Sequence, residues 1–149
     1  MQQAVEARAP AHFRIVGILS LLWNGFGAYG YVMTRMRNTD YLSSMGIDPN
    51  VILTWIDGFP LYAQIGWGLG VWGGVLGSVL LLMRSRYALA AYAASLIGMA
   101  LSFGYQYLGS TMPAGMDVGM SRYMPVVIIV VGGAQLFYAR AMKAKGVLR

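Results

Sequence analysis

The sequence contains no cysteine. Disulfides, thiolate metal ligands and thiol nucleophiles are therefore excluded. It contains one histidine, His12, at a helix start. A bis-histidine haem within one chain is impossible, and a Ser-His-Asp triad cannot be assembled. Charge is scarce: 11% of the 149 residues are Asp, Glu, Lys or Arg, less than half the share of a soluble domain. None of the acids falls inside a long apolar run. A proton- or sodium-coupled carrier usually keeps an intramembrane acid, so that mechanism loses weight. No phosphate-binding glycine loop is present, because the glycines lie inside apolar stretches. These absences predict a protein that is not an enzyme and holds no cofactor.

What is present is apolar surface. The 58% apolar composition exceeds the soluble range. The net charge is +6, yet no basic stripe stands free of the apolar runs, so nucleic acid is not an expected partner. The stretch from Leu61 to Met83 carries no charge and is long enough to cross a bilayer as a helix. Within it Gly66, Gly70, Gly74 and Ser78 fall four residues apart. At about 100° per residue, Ala63, Gly66, Gly70, Gly73, Gly74 and Gly77 gather on one face. Each glycine costs a helix about 0.8–1 kcal/mol in water relative to alanine. Close approach of a second helix backbone is the usual compensation in a membrane. This stretch is therefore expected to be the central helix of a bundle.

Three further spans are expected, over residues 13–33, 87–108 and 124–140, with the central one at 61–83. Ala28-Tyr-Gly30 resembles a signal cleavage site only loosely, and the first run is read as a span. Beyond it the helix is expected to continue to about Ser44, with Gly46 as its stop. Asp48-Pro49 is a strong helix start, and Gly58 with Pro60 a stop. That predicts a short apolar surface helix over 49–57. Arg84-Ser-Arg86 makes a tight turn between spans two and three. Pro125 is read as the opening of span four. The fold class is thus all-α: one domain, residues 1–149, with four transmembrane helices in an antiparallel bundle. Val71-Trp-Gly-Gly74 and Val130-Val-Gly-Gly133 echo one another faintly, as do Ser20-Leu-Leu22 and Ser95-Leu-Ile97.

Lys and Arg counts set orientation. Arg8, Arg14, Arg84, Arg86, Arg140, Lys143, Lys145 and Arg149 fall on one side. Arg35, Arg37 and Arg122 fall on the other. Eight against three predicts both termini in the cytoplasm of a bacterium, with the protein in its inner membrane.

Each span carries a seam of three- and four-residue spacing. Span one has Gly17, Ser20, Asn24, Gly27 and Tyr31. Span three has Ala91, Ser95, Gly98, Ser102 and Tyr105. Span four has Ile128, Gly132, Gln135 and Ala139. The helix-packing candidates are Gly66, Gly70, Gly73, Gly74, Gly77, Ser78, Gly98 and Gly132. The polar interior candidates are Asn24, Ser95, Ser102 and Gln135. An unpaired amide at midspan is costly, so Asn24 is expected to bond across the bundle or to contact a polar solute. Gln64 and Gln106 stand near the outer ends of their spans and could share a polar mouth. Met112, Met116, Met120 and Met124 recur every four residues around Asp117. Thioethers suit Cu(I), but the eleven methionines are spread through the chain and several are core, so no metal site is expected.

The sequence resembles a family of small four-span proteobacterial inner-membrane proteins, often labelled "sugar transporter" or left uncharacterised. The stretches that carry the likeness are Leu22-Trp-Asn-Gly-Phe-Gly-Ala28, Val32-Met-Thr34, Gly70-Val-Trp-Gly-Gly-Val-Leu-Gly-Ser78, Leu82-Met-Arg-Ser-Arg86 and Gly146-Val-Leu-Arg149. They cover nearly the whole chain. The resemblance implies a small polar solute such as a sugar, and brings no catalytic or binding residues with it. Two readings follow. The first is a non-catalytic helix-packing or accessory subunit, meeting membrane lipid and other membrane subunits or copies of itself. Short loops, glycine faces and absent chemistry favour it. The second is an oligomeric facilitator or transporter of a small polar solute.

Overall fold

The computed structural model describes residues 8–149; Glu6, in the polar stretch before the first span, lies outside them. The described chain is all-helical. Four helices are long and apolar enough to cross a membrane, as an integral membrane protein requires. They are α1 (Ala11–Arg35), α4 (Leu61–Leu82), α5 (Ala88–Gly104) taken together with the turn that carries it to Gly109, and α6 (Met120–Ala144). Two short helices, α2 (Thr39–Ser43) and α3 (Pro49–Asp57), connect α1 to α4. α5 ends in one wider π turn over Tyr105–Gly109.

Several boundaries follow from caps. Asp48 accepts from the Asn50 backbone N–H, and Pro49 opens α3 where its missing donor does no harm. Three spans end in Schellman motifs. At α1 the Asn38 N–H reaches the Met33 carbonyl and the Arg37 N–H that of Thr34; at α4 the pairs are Ser85 to Leu80 and Arg84 to Leu81. At α6 they are Val147 to Met142 and Gly146 to Lys143. The motif needs a left-handed residue, normally glycine. Gly146 fits that rule at φ 70°, whereas Arg37 and Arg84 hold φ 55° and 59°.

Arg37 explains one departure from the sequence reading. The first helix does not run on to Ser44. It stops at Arg35, and Asn38 caps a new helix by accepting from the Tyr41 N–H at 2.9 Å. α6 differs too: it starts at Met120, five residues before Pro125. Pro125 lies past the first turn, where it leaves the Ser121 carbonyl without its usual N–H donor and crowds it, so the helix continues through the proline at a cost. Hence 112–119 is irregular, and Met112 and Met116 do not continue the helical face of Met120 and Met124.

In space α4 and α5 form the central hairpin, α1 packs on α4, and α6 packs on α5. The glycine face of α4 is divided between two neighbours. Gly66, Gly70, Gly73 and Gly77 face α5: a Cβ at Gly66 would stand 2.7 Å from the Gly98 carbonyl oxygen. Gly74 faces α1, where a Cβ would meet Asn24 Oδ1 at 2.6 Å. Gly98 answers Gly66 from α5, with a Cβ placed 2.7 Å from the Gly70 nitrogen. Two backbones this close leave no room even for alanine. Gly132 brings α6 onto Leu96 of α5, while nothing lies within 4 Å of a Cβ placed at Gly133 beside it. The Gly-Gly pairs that echo one another in sequence therefore do different things.

α1 and α6 meet at the end where the described chain begins and finishes, here called the tail end. There Phe13, Leu81, Ala88, Tyr92, Ala139, Met142, Val147 and Leu148 form the main core. The last residues lie along the Arg84–Arg86 turn. The Arg149 N–H donates to the Arg84 carbonyl at 2.8 Å, and the Arg86 N–H to the Arg149 carbonyl at 2.7 Å. Arg84 Nε also donates to the Val147 carbonyl. At the other end α2 and α3 fold over the bundle as a lid with its own small core of Leu42, Ile52 and Leu53.

Candidate functional site

Away from the tail end, α1 and α6 barely touch. The space between them, floored by α4 and α5 and roofed by the lid, is a cleft of about 380 Å³. That falls at the lower end of the range of small-molecule sites. Its walls are aromatic: Trp23, Phe26 and Tyr31 from α1, Trp67 from α4, Phe103 from α5, and Tyr41, Trp55 and Phe59 from the lid and the turn that follows it. Asn24, Thr34, Ser102 and Gln106 supply a few polar groups, and Met124 and Ile128 complete the α6 side.

The deep end of the cleft is closed by a buried polar chain. Asn24 Nδ2 donates to Ser78 Oγ at 2.9 Å. Ser78 Oγ donates to the Gly74 carbonyl at 2.9 Å and lies 3.0 Å from the Tyr92 hydroxyl. Beside it Ser95 Oγ donates to the Gly70 carbonyl. Ser20, Asn24, Ser78, Tyr92 and Ser95 are all buried. In an apolar medium each such group needs a partner, and this chain supplies them. Below it lies the tail-end core.

The expected polar residues thus separate. Asn24 and Ser102 line the cleft, whereas Ser95 is spent on helix packing. Ser102 accepts from Gln106 Nε2 at 3.1 Å. Gln135 is buried between α6 and its neighbours, with Nε2 lacking a hydrogen-bond partner among the described residues; it does not line the cleft. Gln64 and Gln106 do not share a mouth. Gln64 donates to the Phe59 carbonyl and accepts from Arg35 at 3.5 Å, while Gln106 stays with Ser102. Gly27 is not a packing residue. Ala28 takes that role on α1, and Gly27 lies exposed at the cleft with nothing near its Cβ position.

The lid is fastened at several points. Arg37 and Asp57 make a bidentate ion pair with both N–O distances 2.9 Å. This pairing raises the Arg37 pKa and holds the Asp57 carboxyl below its ordinary range. Trp55 Nε1 donates to Ser110 Oγ at 3.2 Å, and the Tyr105 hydroxyl to the Gly58 carbonyl at 3.3 Å. Partial burial of Tyr41, with Tyr29 nearby, pushes its phenol pKa up. At the rim the Arg35 guanidinium lies over the rings of Tyr31 and Trp67, 5.5 and 5.6 Å from their centroids. His12, at the opposite end, meets the Tyr138 hydroxyl through Nδ1 at 2.8 Å.

Sequence reasoning missed the aromatic walls. The usable signal was a second seam on α1: Trp23, Gly27, Gly30 and Thr34 also follow three- and four-residue spacing, one step round from Asn24 and Ala28. Three of the four tryptophans line the cleft.

No family model, curated protein or solved structure matches the chain.

Proposed function

We propose that this protein is a non-catalytic accessory component of a bacterial inner membrane, acting by holding another membrane constituent at its lid-end cleft. The observation that carries the proposal is the gap between α1 and α6. The cleft lies in that gap, while the buried Asn24–Ser78–Tyr92 chain and the tail-end core lie across its deep end. A site built so receives something from the bilayer rather than passing something across it. The Lys and Arg asymmetry supports placing both termini in the cytoplasm and the lid outside. No cofactor enters the proposal; its partners are membrane lipid and other membrane subunits or further copies of the chain.

Purification in mild detergent from membranes at native expression tests this role. A partner subunit, or a stable homo-oligomer, is expected to accompany the protein. Recovery of a lone chain with no crosslinked partner would contradict it. A second reading, facilitation of a small polar solute such as a sugar, is favoured by the aromatic walls and by Asn24, Ser102 and Gln106. Proteoliposome flux across a panel of hexoses decides it. Asn24→Leu should then cut flux without loss of fold, and wild-type flux at the protein-free level would remove the reading.

A further inference from the structure

The occupant of the cleft is constrained by its walls and by one cation. Arg35 stands at the rim, stacked on Tyr31 and Trp67, which themselves line the cleft. Its Nε donates to the Tyr31 hydroxyl at 3.3 Å. Neighbouring Arg37 occupies both oxygens of Asp57. Among the described residues Arg35 has no carboxylate within ion-pair distance. The two rings face the cation without neutralising it, and the Asp57 carboxylate feels its charge without pairing with it. The lid end as a whole carries Arg35, Arg37 and Arg122 against Asp40, Asp48, Asp57 and Asp117. It therefore has no general attraction for anions, and any preference must come from Arg35 itself.

We propose that the cleft takes the apolar chain of an anionic membrane lipid, entering sideways between α1 and α6, with the headgroup on Arg35. An apolar chain suits walls of aromatic rings that offer few polar groups, and a charged head suits the unneutralised guanidinium at the mouth. This deepens the proposed role by naming what the cleft holds, and rests on that role only in treating the cleft as a binding site.

The full chain carrying Trp72→Phe retains Trp23, Trp55 and Trp67, all of them cleft residues. It is reconstituted in bilayers mixing phosphatidylcholine and phosphatidylglycerol, with brominated chains on one lipid or the other, and tryptophan quenching is read. Brominated phosphatidylglycerol is expected to show about fivefold higher relative occupancy, the preference that one arginine at a membrane surface carries for an anionic lipid. Arg35→Gln should abolish the preference. Gly27→Leu should lower quenching by both lipids, since Gly27 lines the cleft and nothing lies within 4 Å of its Cβ position, so the new side chain projects into the cleft. Equal quenching by the two lipids, a preference that survives Arg35→Gln, or unchanged quenching in Gly27→Leu would overturn the inference. Loss of the copurifying partner with the lipid preference intact would remove the accessory role alone. A retained partner with no lipid preference would remove this inference alone.

Discussion

At the tail end α1 and α6 are joined: Phe13 stacks on Tyr138 with ring centroids 6.4 Å apart, and Val147 and Leu148 are buried against both the hairpin and α6. At the lid end the same two helices stand apart, and aromatic side chains line the space between them. Both ends rest on one α4–α5 hairpin, whose glycines bring two backbones into contact along much of its length. The difference lies in what is added to the hairpin. A stacked aromatic pair, a buried apolar core and a docked tail close one end. At the other end aromatic rings line a space that no such core fills. Rigidity and access are thus assigned to opposite ends of the same four helices.

The largest effect should come from the shared hairpin. Gly98→Leu places a side chain on the Gly66 and Gly70 backbones, and overpacking costs about 1–3 kcal/mol or more. Gly70→Leu and Gly74→Leu should follow in the same direction, whereas Gly27→Leu should stay within about 0.5 kcal/mol of wild type. Thermal unfolding and detergent elution volume measure this. Wild-type values for Gly98→Leu and Gly70→Leu would mean that the glycine contact is not the scaffold.

Next comes the seal at the tail end. Leu148 is 5% exposed, so Leu148→Ala should cost about 2 kcal/mol or more. Its signature is local: proteolysis near the Arg84–Arg86 turn should rise while the lid stays protected. Equal sensitivity of both ends would show that they unfold as one unit and would blunt the contrast.

A smaller loss is expected at the floor of the cleft. Asn24→Leu removes the donor to Ser78. Interhelical bonds of this kind average about 0.6 kcal/mol and reach about 1.7. A shift well above that range would make the polar chain a main support of the fold rather than a floor.

The smallest effect belongs to the lid latch. Arg37 lowers the Asp57 pKa in the folded state, so Asp57 binds its proton more readily when the lid is detached. The latch is therefore fully present above the ordinary aspartate value of about 3.9 and is lost as pH falls through the lower folded value. Trp55 fluorescence should change below about pH 4 in wild type and not in Asp57→Asn. Because both partners are exposed, with side chains 55% and 53% accessible, high salt should weaken the latch as well. An Asp57→Asn variant that kept the acid transition would assign it to another group.

Local signals in the sequence carry much of this architecture. Asp48-Pro49 announces α3, and the spacing of Gly66, Gly70 and Gly74 announces a packed face. The length of the apolar runs announces four spans. The stop at Arg37 was not legible, because the Schellman position there holds arginine instead of glycine. The start of α6 was hidden by Pro125, which reads as a first residue yet sits inside the helix. The cleft was the least legible feature. It depends on where α1 and α6 fail to meet, and no periodicity within one helix records a missing neighbour. Asn24 illustrates the point: its midspan position shows that it needs a partner, but the choice of Ser78 depends on how α4 turns its glycines toward α1.

The contrast between the two ends is tested most directly by a distance measurement. The chain has no native cysteine, so pairs of spin labels can be placed without background. One pair, at positions 12 and 138, spans α1 and α6 at the tail end; the other, at positions 26 and 128, spans them at the cleft. The account predicts a short, narrow distance distribution for the first pair and a clearly longer, broader one for the second, narrowing when lipid fills the cleft. Equal distances at the two ends, or a shorter one across the cleft, would contradict it.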